Sequence, residues 1–330
     1  MRLAAQGIGA AFDSPVDVVR HLLAMQAQDF GGALWAVGLR TRSCTEAEVE
    51  QAIATRQVVR SWPQRGTLHL VAAEDLHWML ALTSARTVQS AAGRHRALGL
   101  SSSDFTRAAA IAEASIGDGV VGRTELLAAL DAGGVSTDGQ RGAHLLLYLA
   151  VTGLLVFGPR QGKQHSFALL DSWVTTRQAL EGDEALAELA LRYFLSHGPA
   201  TDRDLAWWSA LTLTQVRRGI AAVAPQLERL TVDGVDYWHR PGLAPAPAGV
   251  HALPGFDEYV LGYQDRSAQL GPEWAARIVP GGNGMFLPTI VRNDEIVGTW
   301  KRTRSVITTS GSRASFARYS TFLGTPLTVA

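Results

Sequence analysis

The sequence predicts an α+β protein made of three tandem winged helix-turn-helix modules followed by a C-terminal β-rich segment. An order of three helices and then a β-hairpin occurs three times along the 330 residues, and the pattern changes to short strands joined by tight turns near the C-terminus. We therefore expect four segments, with bounds at 1–100, 101–180, 181–245 and 246–330.

The middle copy of this order has the clearest pattern. We predict helices over 104–116, with Asp104 as N-cap, over 123–130 and over 138–155. Two apolar runs then flank the basic turn GPRQGK (158–163), and such a pair is typical of a hairpin. Helix, short helix, helix and hairpin is the order of a winged helix-turn-helix.

The third copy repeats the order over helices 184–197, 202–209 and 212–223. The apolar positions of the first of these lie on one helical face. The string LERLTVDGVDYWHR then places two strands about Asp233-Gly234, and Asp-Gly is a strong hairpin signal.

The first copy has weaker signals. Ser14-Pro15 favours the start of a helix that runs to about Ala27, and Thr45 and Glu48 have capping-box spacing for a second helix. VVRSWPQRGTLHLV (58–71) predicts two strands. We expect the hairpins near 58–71, 154–170 and 227–239 to be the wings of three separate modules; a generic α+β protein with alternating helices and hairpins is the alternative.

The last segment has strand-like strings in place of helical ones. LPGFDEYVLGY (253–263), a turn at GGNG, and MFLPTIV and IVGTW on either side of RNDE predict strands joined by tight turns. The acids of this segment, Asp257, Glu258 and Asp265, are candidates to orient basic side chains or to cap turns.

Charge and composition bound the kind of partner. The chain has 30 basic and 30 acidic residues and is 47% hydrophobic, which counts against a strongly basic nucleic-acid binder. Residues 51–103 and 296–330 are nevertheless rich in arginine. Local basic faces suit a partner met along a groove or stripe, such as duplex DNA; random clustering of arginine is the alternative.

The sequence also allows expectations about where the protein is located and whether it forms oligomers. No run is apolar and long enough for a membrane span, and the first residues lack a long apolar h-region, so we expect no secretory signal. One cysteine, Cys44, makes no intrachain disulfide, and no dimerisation segment stands out. We expect a monomer in the cytoplasm, associated with the nucleoid.

Common enzyme motifs fail in this sequence. GPRQGKQ (158–164) has too few residues between its glycines for a P-loop, and GIGAAF (7–12) lacks the third glycine of a dinucleotide fingerprint. Neither a GxSxG elbow nor an HExxH motif occurs. We therefore expect no cofactor and no metal.

Five strings resemble the AlkZ/YcaQ family of winged-helix DNA glycosylases, in the same order along nearly the whole chain. They are RLAAQGI, MQAQDF (25–30), VRSWPQRGTLHLV (59–71), LPGFDEYVLGYQDR (253–266) and NGMFLPTIV with VGTW (283–300). The resemblance implies a C-shaped array of winged helices whose concave face accepts duplex DNA. It also implies an active-site signature of Gln, an apolar residue, and Gln or Asp, which maps onto Gln26-Ala27-Gln28.

The chemistry of two glutamines supports this reading without the family name. Gln26 and Gln28 would point apart on a helix, so they share a side only if the chain leaves the helix near Met25. An amide cannot act as acid or base, but it can orient water and stabilise an oxocarbenium-like transition state. That suffices for a cationic N-alkylated purine, whose glycosidic bond is already weak. Asp29 is a candidate base or electrostatic stabiliser; simple capping of a helix end is the alternative.

Two functions from different classes remain open. The first is a monofunctional DNA glycosylase acting on N-alkylated purines, and the second is a non-catalytic DNA-binding protein or transcriptional regulator. A regulator needs base-reading side chains on a recognition helix, and the candidate helices offer few beyond Arg217 and Arg218. The predicted DNA-binding residues are Arg60, Arg65, His69, Arg160, Lys163, Arg217, Arg218, Lys301 and Arg302.

Overall fold

A computed structural model describes residues 1–162, 164–282 and 284–330. Lys163, one of the predicted DNA-binding residues, lies outside the described residues. The chain divides into two compact units. One comprises residues 52–185, and the other is discontinuous and combines residues 1–51 with 186–330.

The N-terminal part of the discontinuous unit is mainly helical. Its elements are α1 (Arg2–Ala5), α2 (Pro15–Leu22), β1 (Ala24–Gln26), α3 (Phe30–Arg40) and α4 (Glu46–Ala54), the last of which extends three residues past the division. The two predicted helix starts are confirmed. The Ser14 hydroxyl accepts the Asp17 N–H at 3.2 Å, and the Glu48 carboxylate accepts the Thr45 N–H at 2.7 Å.

The unit of residues 52–185 packs helices against a sheet. Its elements are β2 (Val58–Gln64), β3 (Thr67–Ala72), α5 (Leu76–Ala97), α6 (Ser102–Ile116), β4 (Val121–Gly122), α7 (Arg123–Ala132), α8 (Arg141–Val151), β5 (Leu155–Phe157), β6 (Ser166–Leu169) and α9 (Leu170–Trp173). Within this unit the strands lie in the order β3-β2-β5-β6-β4. Its core is formed by apolar side chains of α6, α7, α8, β5 and β6.

This sheet corrects one prediction. Strand β2 pairs with β5, with Arg60 opposite Phe157, so the first two predicted hairpins lie in one sheet and are not wings of separate modules. Every β2 residue but Trp62 is buried, and buried backbone groups of such a strand need a partner on both edges. The predicted cap of α6 also shifts: Ser101 is the N-cap, and Asp104 completes its capping box.

The third predicted copy has the expected order of elements. Helices α10 (Gly182–His197), α11 (Asp202–Ser209) and α12 (Leu213–Val223) precede β7 (Glu228–Val232) and β8 (Val235–His239). Asp233 and Gly234 between the strands both have positive φ, 50° and 75°, as a two-residue hairpin turn requires. This part of the fold follows the sequence prediction.

The C-terminal segment is rich in strands, as predicted. Its elements are β9 (Val250–Leu253), α13 (Glu258–Leu261), α14 (Pro272–Ile278), β10 (Thr289–Arg292), β11 (Glu295–Thr303), β12 (Val306–Gly311), α15 (Ala317–Leu323) and β13 (Thr328–Val329). The sheet order is β13-β12-β11-β10-β9. The strand predicted at LPGFDEYVLGY (253–263) is wrong beyond Leu253, because β9 ends there and the Asp257 side chain accepts the Tyr259 N–H and starts α13.

Among the described residues, none of the helices has the length and apolarity needed to cross a bilayer.

Candidate active site

Gln26 is the last residue of strand β1, and Gln28 lies in a bend just beyond it. Helix α2 ends at Leu22, five residues before the predicted end, because Leu23 has a φ of 66° and turns the chain into β1. Ala27 is fully buried, whereas Gln26 is half-buried and Gln28 is exposed. The chain has therefore left the helix before Met25, as the sequence condition requires, and Gln28 follows Gln26 by two residues in a bend before α3.

Gln26 is held through its main chain. Its backbone N–H donates to Oε1 of Glu258 at 2.8 Å. The side-chain Oε1 of Gln26 is buried and has no hydrogen-bond partner among the described residues. Buried polar atoms are usually paired, so this acceptor is a candidate to contact a ligand or an ordered water.

Glu258 connects Gln26 to two aromatic side chains of the same unit. Its second oxygen, Oε2, accepts the indole N–H of Trp208 at 2.9 Å and lies 3.5 Å from Nε2 of His197. The His197 contact is at the outer limit of a hydrogen bond, and we treat it as an electrostatic one. Burial lowers the pKa of His197 despite the neighbouring carboxylate, which favours a neutral ring.

An adjacent ion pair completes this buried network. The guanidinium of Arg40 donates to both Asp257 oxygens, at 2.9 and 2.8 Å, and both side chains are fully buried. Gln6 joins the pair to Glu258: its Oε1 accepts from Arg40 at 2.8 Å, and its Nε2 donates to the Glu258 carbonyl oxygen at 3.1 Å. A fork of two parallel hydrogen bonds is a strong and directional contact.

Sequence reasoning found the acids of this network but missed their partners. Asp257 orients a basic side chain and caps a helix, as expected, and Asp265 accepts the Ser267 N–H at 2.9 Å. Arg40 and Gln6 were not predicted, because they lie in helical or turn segments more than 200 residues before their partners.

Asp29 lines a cavity of about 210 Å³ within the discontinuous unit, together with Lys301 and Arg302. Aromatic side chains of Trp35, Trp300 and Tyr319 form other walls of this cavity. A Cβ on Gly32 would lie 2.8 Å from an Asp29 oxygen, so glycine at position 32 leaves room for the carboxylate over the first turn of α3. The cavity thus brings one predicted catalytic residue together with two predicted DNA-binding residues.

In the unit of residues 52–185, the predicted DNA-binding residues of the first hairpin are not freely exposed. Arg60 is 4% exposed; its guanidinium lies 3.2 Å from His165 and over the Phe157 ring. Burial and the nearby arginines lower the pKa of His165 to about 4. His69 is fully buried and lies 3.4 Å from the half-buried Arg65.

The same hairpin buries polar atoms that the sequence did not single out. Ser61 Oγ, Thr67 Oγ1 and both amide atoms of Gln64 have no hydrogen-bond partner in the described part of the chain. Gln64 is fully buried, and burial of an unpaired amide costs free energy. We name Ser61, Gln64 and Thr67 the hairpin polar group.

The remaining predicted DNA-binding residues lie on the surface. Arg160, Arg217 and Arg218 are exposed. Arg217 donates to Asp202 at 2.8 Å, so part of its hydrogen-bonding capacity is used within the protein. No group of three or more His, Cys, Asp or Glu side chains that could hold a metal occurs among the described residues.

Comparison with known proteins identifies the family. The sequence model described as "DNA glycosylase AlkZ-like" matches residues 19–313. The chain belongs to the AlkZ-like family. The match covers most of the chain and includes the Gln26 segment, the first hairpin, and the segment of Asp257 and Glu258.

One relative in this AlkZ-like family comes from Streptomyces sahachiroi and is named an interstrand DNA cross-link repair glycosylase. It is 29% identical over an alignment of 306 positions that covers 87% of this chain and 82% of that protein. Among solved structures, Streptomyces sahachiroi DNA glycosylase AlkZ has the same fold, with a TM-score of 0.84 and 23% identity over 100% of this chain and 97% of that one.

Proposed function

We propose that this chain is a monofunctional DNA glycosylase that hydrolyses the N-glycosidic bond of cationic N-alkylated purines in duplex DNA. The observation that carries the proposal is Gln26: its main chain is fixed by Glu258, and its buried side-chain oxygen has no partner among the described residues. Membership of a DNA glycosylase family supports the same class of reaction.

The chemistry available to two amides limits the reaction. Gln26 and Gln28 lie two residues apart between α2 and α3, and their side-chain oxygens would orient a water towards the sugar C1′ and stabilise the positive charge that develops there. Neither amide can protonate a leaving group. A base that is already cationic leaves as a neutral purine and needs no acid, so an N7- or N3-alkylated purine fits this site.

Asp29 is proposed as the base or electrostatic stabiliser. Its carboxylate lines a cavity with Lys301 and Arg302, so a negative and two positive side chains are available close together. A carboxylate can accept a proton from the attacking water or favour an oxocarbenium-like sugar. Lys301 and Arg302 would contact DNA phosphates, as would Arg65, Arg160, Lys163 and Arg218.

The non-catalytic alternative has weaker support. A regulator reads bases with the exposed side chains of a recognition helix, and Arg217 on α12 already donates to Asp202. Release of a free base from a duplex that carries an alkylated purine separates the two functions.

The test is release of a free base from a duplex oligonucleotide that carries one N7-methylguanine. Wild-type protein should release the base, and Gln26→Ala and Gln28→Ala should each lower the single-turnover rate about a hundredfold, the typical cost of losing an oriented dipole, with little change in DNA affinity. Asp29→Asn should lower the rate comparably if the carboxylate is catalytic.

Two controls distinguish the proposed reaction from other activities. A uracil-containing duplex should remain intact, because uracil is neutral in DNA and would have to leave as an anion. Binding without release of any alkylated base would support the non-catalytic function. An interstrand cross-link between N7 atoms of two purines is a further substrate of the same cationic class, and the name of the relative from Streptomyces sahachiroi makes it the first one to try.

A further inference from the structure

Glu258 occupies an unusual position for a carboxylate. It is the first residue of α13, is 1% exposed, and follows Asp257, which is occupied by Arg40 and by the cap of the helix. Burying a carboxylate is costly unless its oxygens are hydrogen-bonded. Each Glu258 oxygen accepts an N–H, one from the Gln26 main chain and one from the Trp208 indole.

The Trp208 indole and the Gln26 main chain differ in how firmly the rest of the fold holds them. Trp208 is fully buried in the discontinuous unit, and its ring packs near Tyr193 and His197, at 5.1 and 5.3 Å between centroids. It is therefore a rigid anchor. Gln26 is the last residue of a three-residue strand that starts after the positive-φ residue Leu23, so its peptide orientation depends on contacts from elsewhere in the fold.

We propose that Glu258 is a positioning residue for the glycosylase reaction, because its carboxylate ties the Gln26 main chain to the Trp208 anchor and so fixes where the Gln26 amide points. This inference rests on the proposed function. The Gln26 Oε1 has no hydrogen bond of its own to the described residues, so the main chain sets its place. A displacement of about 1 Å in an active site can cost about a hundredfold in rate.

The chemistry explains why the residue is an acid. A carboxylate presents acceptors on both oxygens, whereas the amide of glutamine has one acceptor and one donor group. Glu258→Gln would therefore place an NH₂ group against one of the two N–H donors. Removing the Trp208 donor should relieve that conflict and allow the amide oxygen to face Gln26.

The experiment compares Glu258→Gln, Trp208→Phe and the double variant in single-turnover release of N7-methylguanine. We expect Glu258→Gln to lower the rate about 30- to 100-fold with DNA affinity changed less than about threefold. We expect the double variant to regain about tenfold over Glu258→Gln, an interaction of the kind that a double-mutant cycle isolates. A wild-type rate for Glu258→Gln, or a double variant no faster than it, would overturn the proposal.

A matched variant separates positioning from stability. Thr41→Val removes another fully buried side-chain hydrogen bond of the same unit, from the Thr41 hydroxyl to the Val37 carbonyl oxygen at 3.0 Å, at the C-terminal end of α3. It should keep the wild-type rate. If Thr41→Val slows the reaction as much as Glu258→Gln does, the effect of Glu258 is general destabilisation and the proposal fails.

A second readout does not depend on activity. The Gln26 N–H should be protected from hydrogen exchange in the wild-type protein, lose protection in Glu258→Gln, and regain it in the double variant, because protection follows the hydrogen bond. If the wild type releases no base, the proposed function fails, and exchange at Gln26 still decides whether Glu258 holds this segment. Unchanged protection in Glu258→Gln would overturn the positioning role by itself.

Discussion

Two buried polar regions of this protein differ in how their hydrogen bonds are satisfied. In the network of Arg40, Asp257 and Glu258, each charged side chain has strong partners. The hairpin polar group of Ser61, Gln64 and Thr67 buries side-chain atoms that have no hydrogen-bond partner in the described part of the chain.

The difference indicates that buried polar side chains have two different roles in this protein. A fully paired network specifies one geometry and fixes the segments that it joins. An unpaired buried polar group costs about 1–3 kcal/mol, so such a group in a native structure needs an explanation other than stability, such as an ordered water or a functional role. We infer that the first region holds the candidate catalytic segment in place and that the second is shaped for an interaction with DNA or water.

The largest expected effect comes from breaking the paired network. Arg40→Met leaves the buried Asp257 carboxylate without its fork of hydrogen bonds and should lower the free energy of unfolding by about 3–5 kcal/mol. Chemical denaturation measures this difference. The matched control is Arg217→Met, which breaks the exposed pair with Asp202 and should cost less than about 1 kcal/mol; equal losses would contradict the special role of the buried pair.

Two fully buried glutamines give the sharpest comparison. Gln6 is hydrogen-bonded through both amide atoms, whereas neither amide atom of Gln64 has a partner among the described residues. Gln6→Met should lower the free energy of unfolding by about 1–3 kcal/mol, and Gln64→Met should raise it by about 1–2 kcal/mol.

The same two variants should separate stability from function. If the hairpin polar group serves DNA, Gln64→Met should weaken duplex binding or base release while it stabilises the fold. If Gln64→Met is stabilised and still binds duplex DNA and releases base at the wild-type level, the hairpin polar group has no role in DNA recognition.

The next effect concerns pH. Burial lowers the pKa of His21 to about 4, so its ring is neutral in the folded protein, while the unfolded chain takes up a proton below about pH 6.5. The free energy of unfolding should therefore fall as the pH drops from 7 to 5, with about 1–2 kcal/mol of the fall due to His21. His21→Gln, which keeps a donor for the Ala5 carbonyl oxygen, should show a shallower fall; parallel curves would contradict this assignment.

The smallest effect distinguishes exposed from buried basic residues. Lys301 is exposed and lines the Asp29 cavity, so Lys301→Ala should lower the slope of log affinity against log salt by about 0.9 if one phosphate contact is lost. Arg60 is buried against Phe157 and His165, so we expect Arg60→Ala to leave that slope unchanged. If Arg60→Ala lowers the slope and Lys301→Ala does not, the phosphate contact belongs to Arg60 and not to Lys301.

The sequence predicted local features better than distant pairing. The caps at Ser14 and Thr45 and the Asp233-Gly234 turn were predicted because each depends on a few neighbouring residues. The separation of the first two hairpins was wrong because the pairing of β2 with β5 joins residues almost 100 positions apart. No local pattern encodes such a contact.

The candidate site shows the same limit. Gln26 and Gln28 were proposed through the family resemblance, and the condition that the chain leaves the helix near Met25 is met because α2 ends at Leu22. The anchors of this segment could not be found, because Gln26 and Glu258 are 232 residues apart and Arg40 and Asp257 are 217 apart. The placement of Gln64 likewise depends on tertiary burial, which a hairpin pattern does not reveal.

The span of these contacts has a consequence for how the protein is made. The discontinuous unit closes only when residues 186–330 meet residues 1–51, and contacts of such sequence separation form late because chain entropy must be overcome first. During synthesis the segment around Gln26 leaves the ribosome long before Glu258 exists. An incomplete chain therefore lacks the carboxylate that orders Gln26, and competence for base excision would arise only after the C-terminal segment has been translated and has folded back.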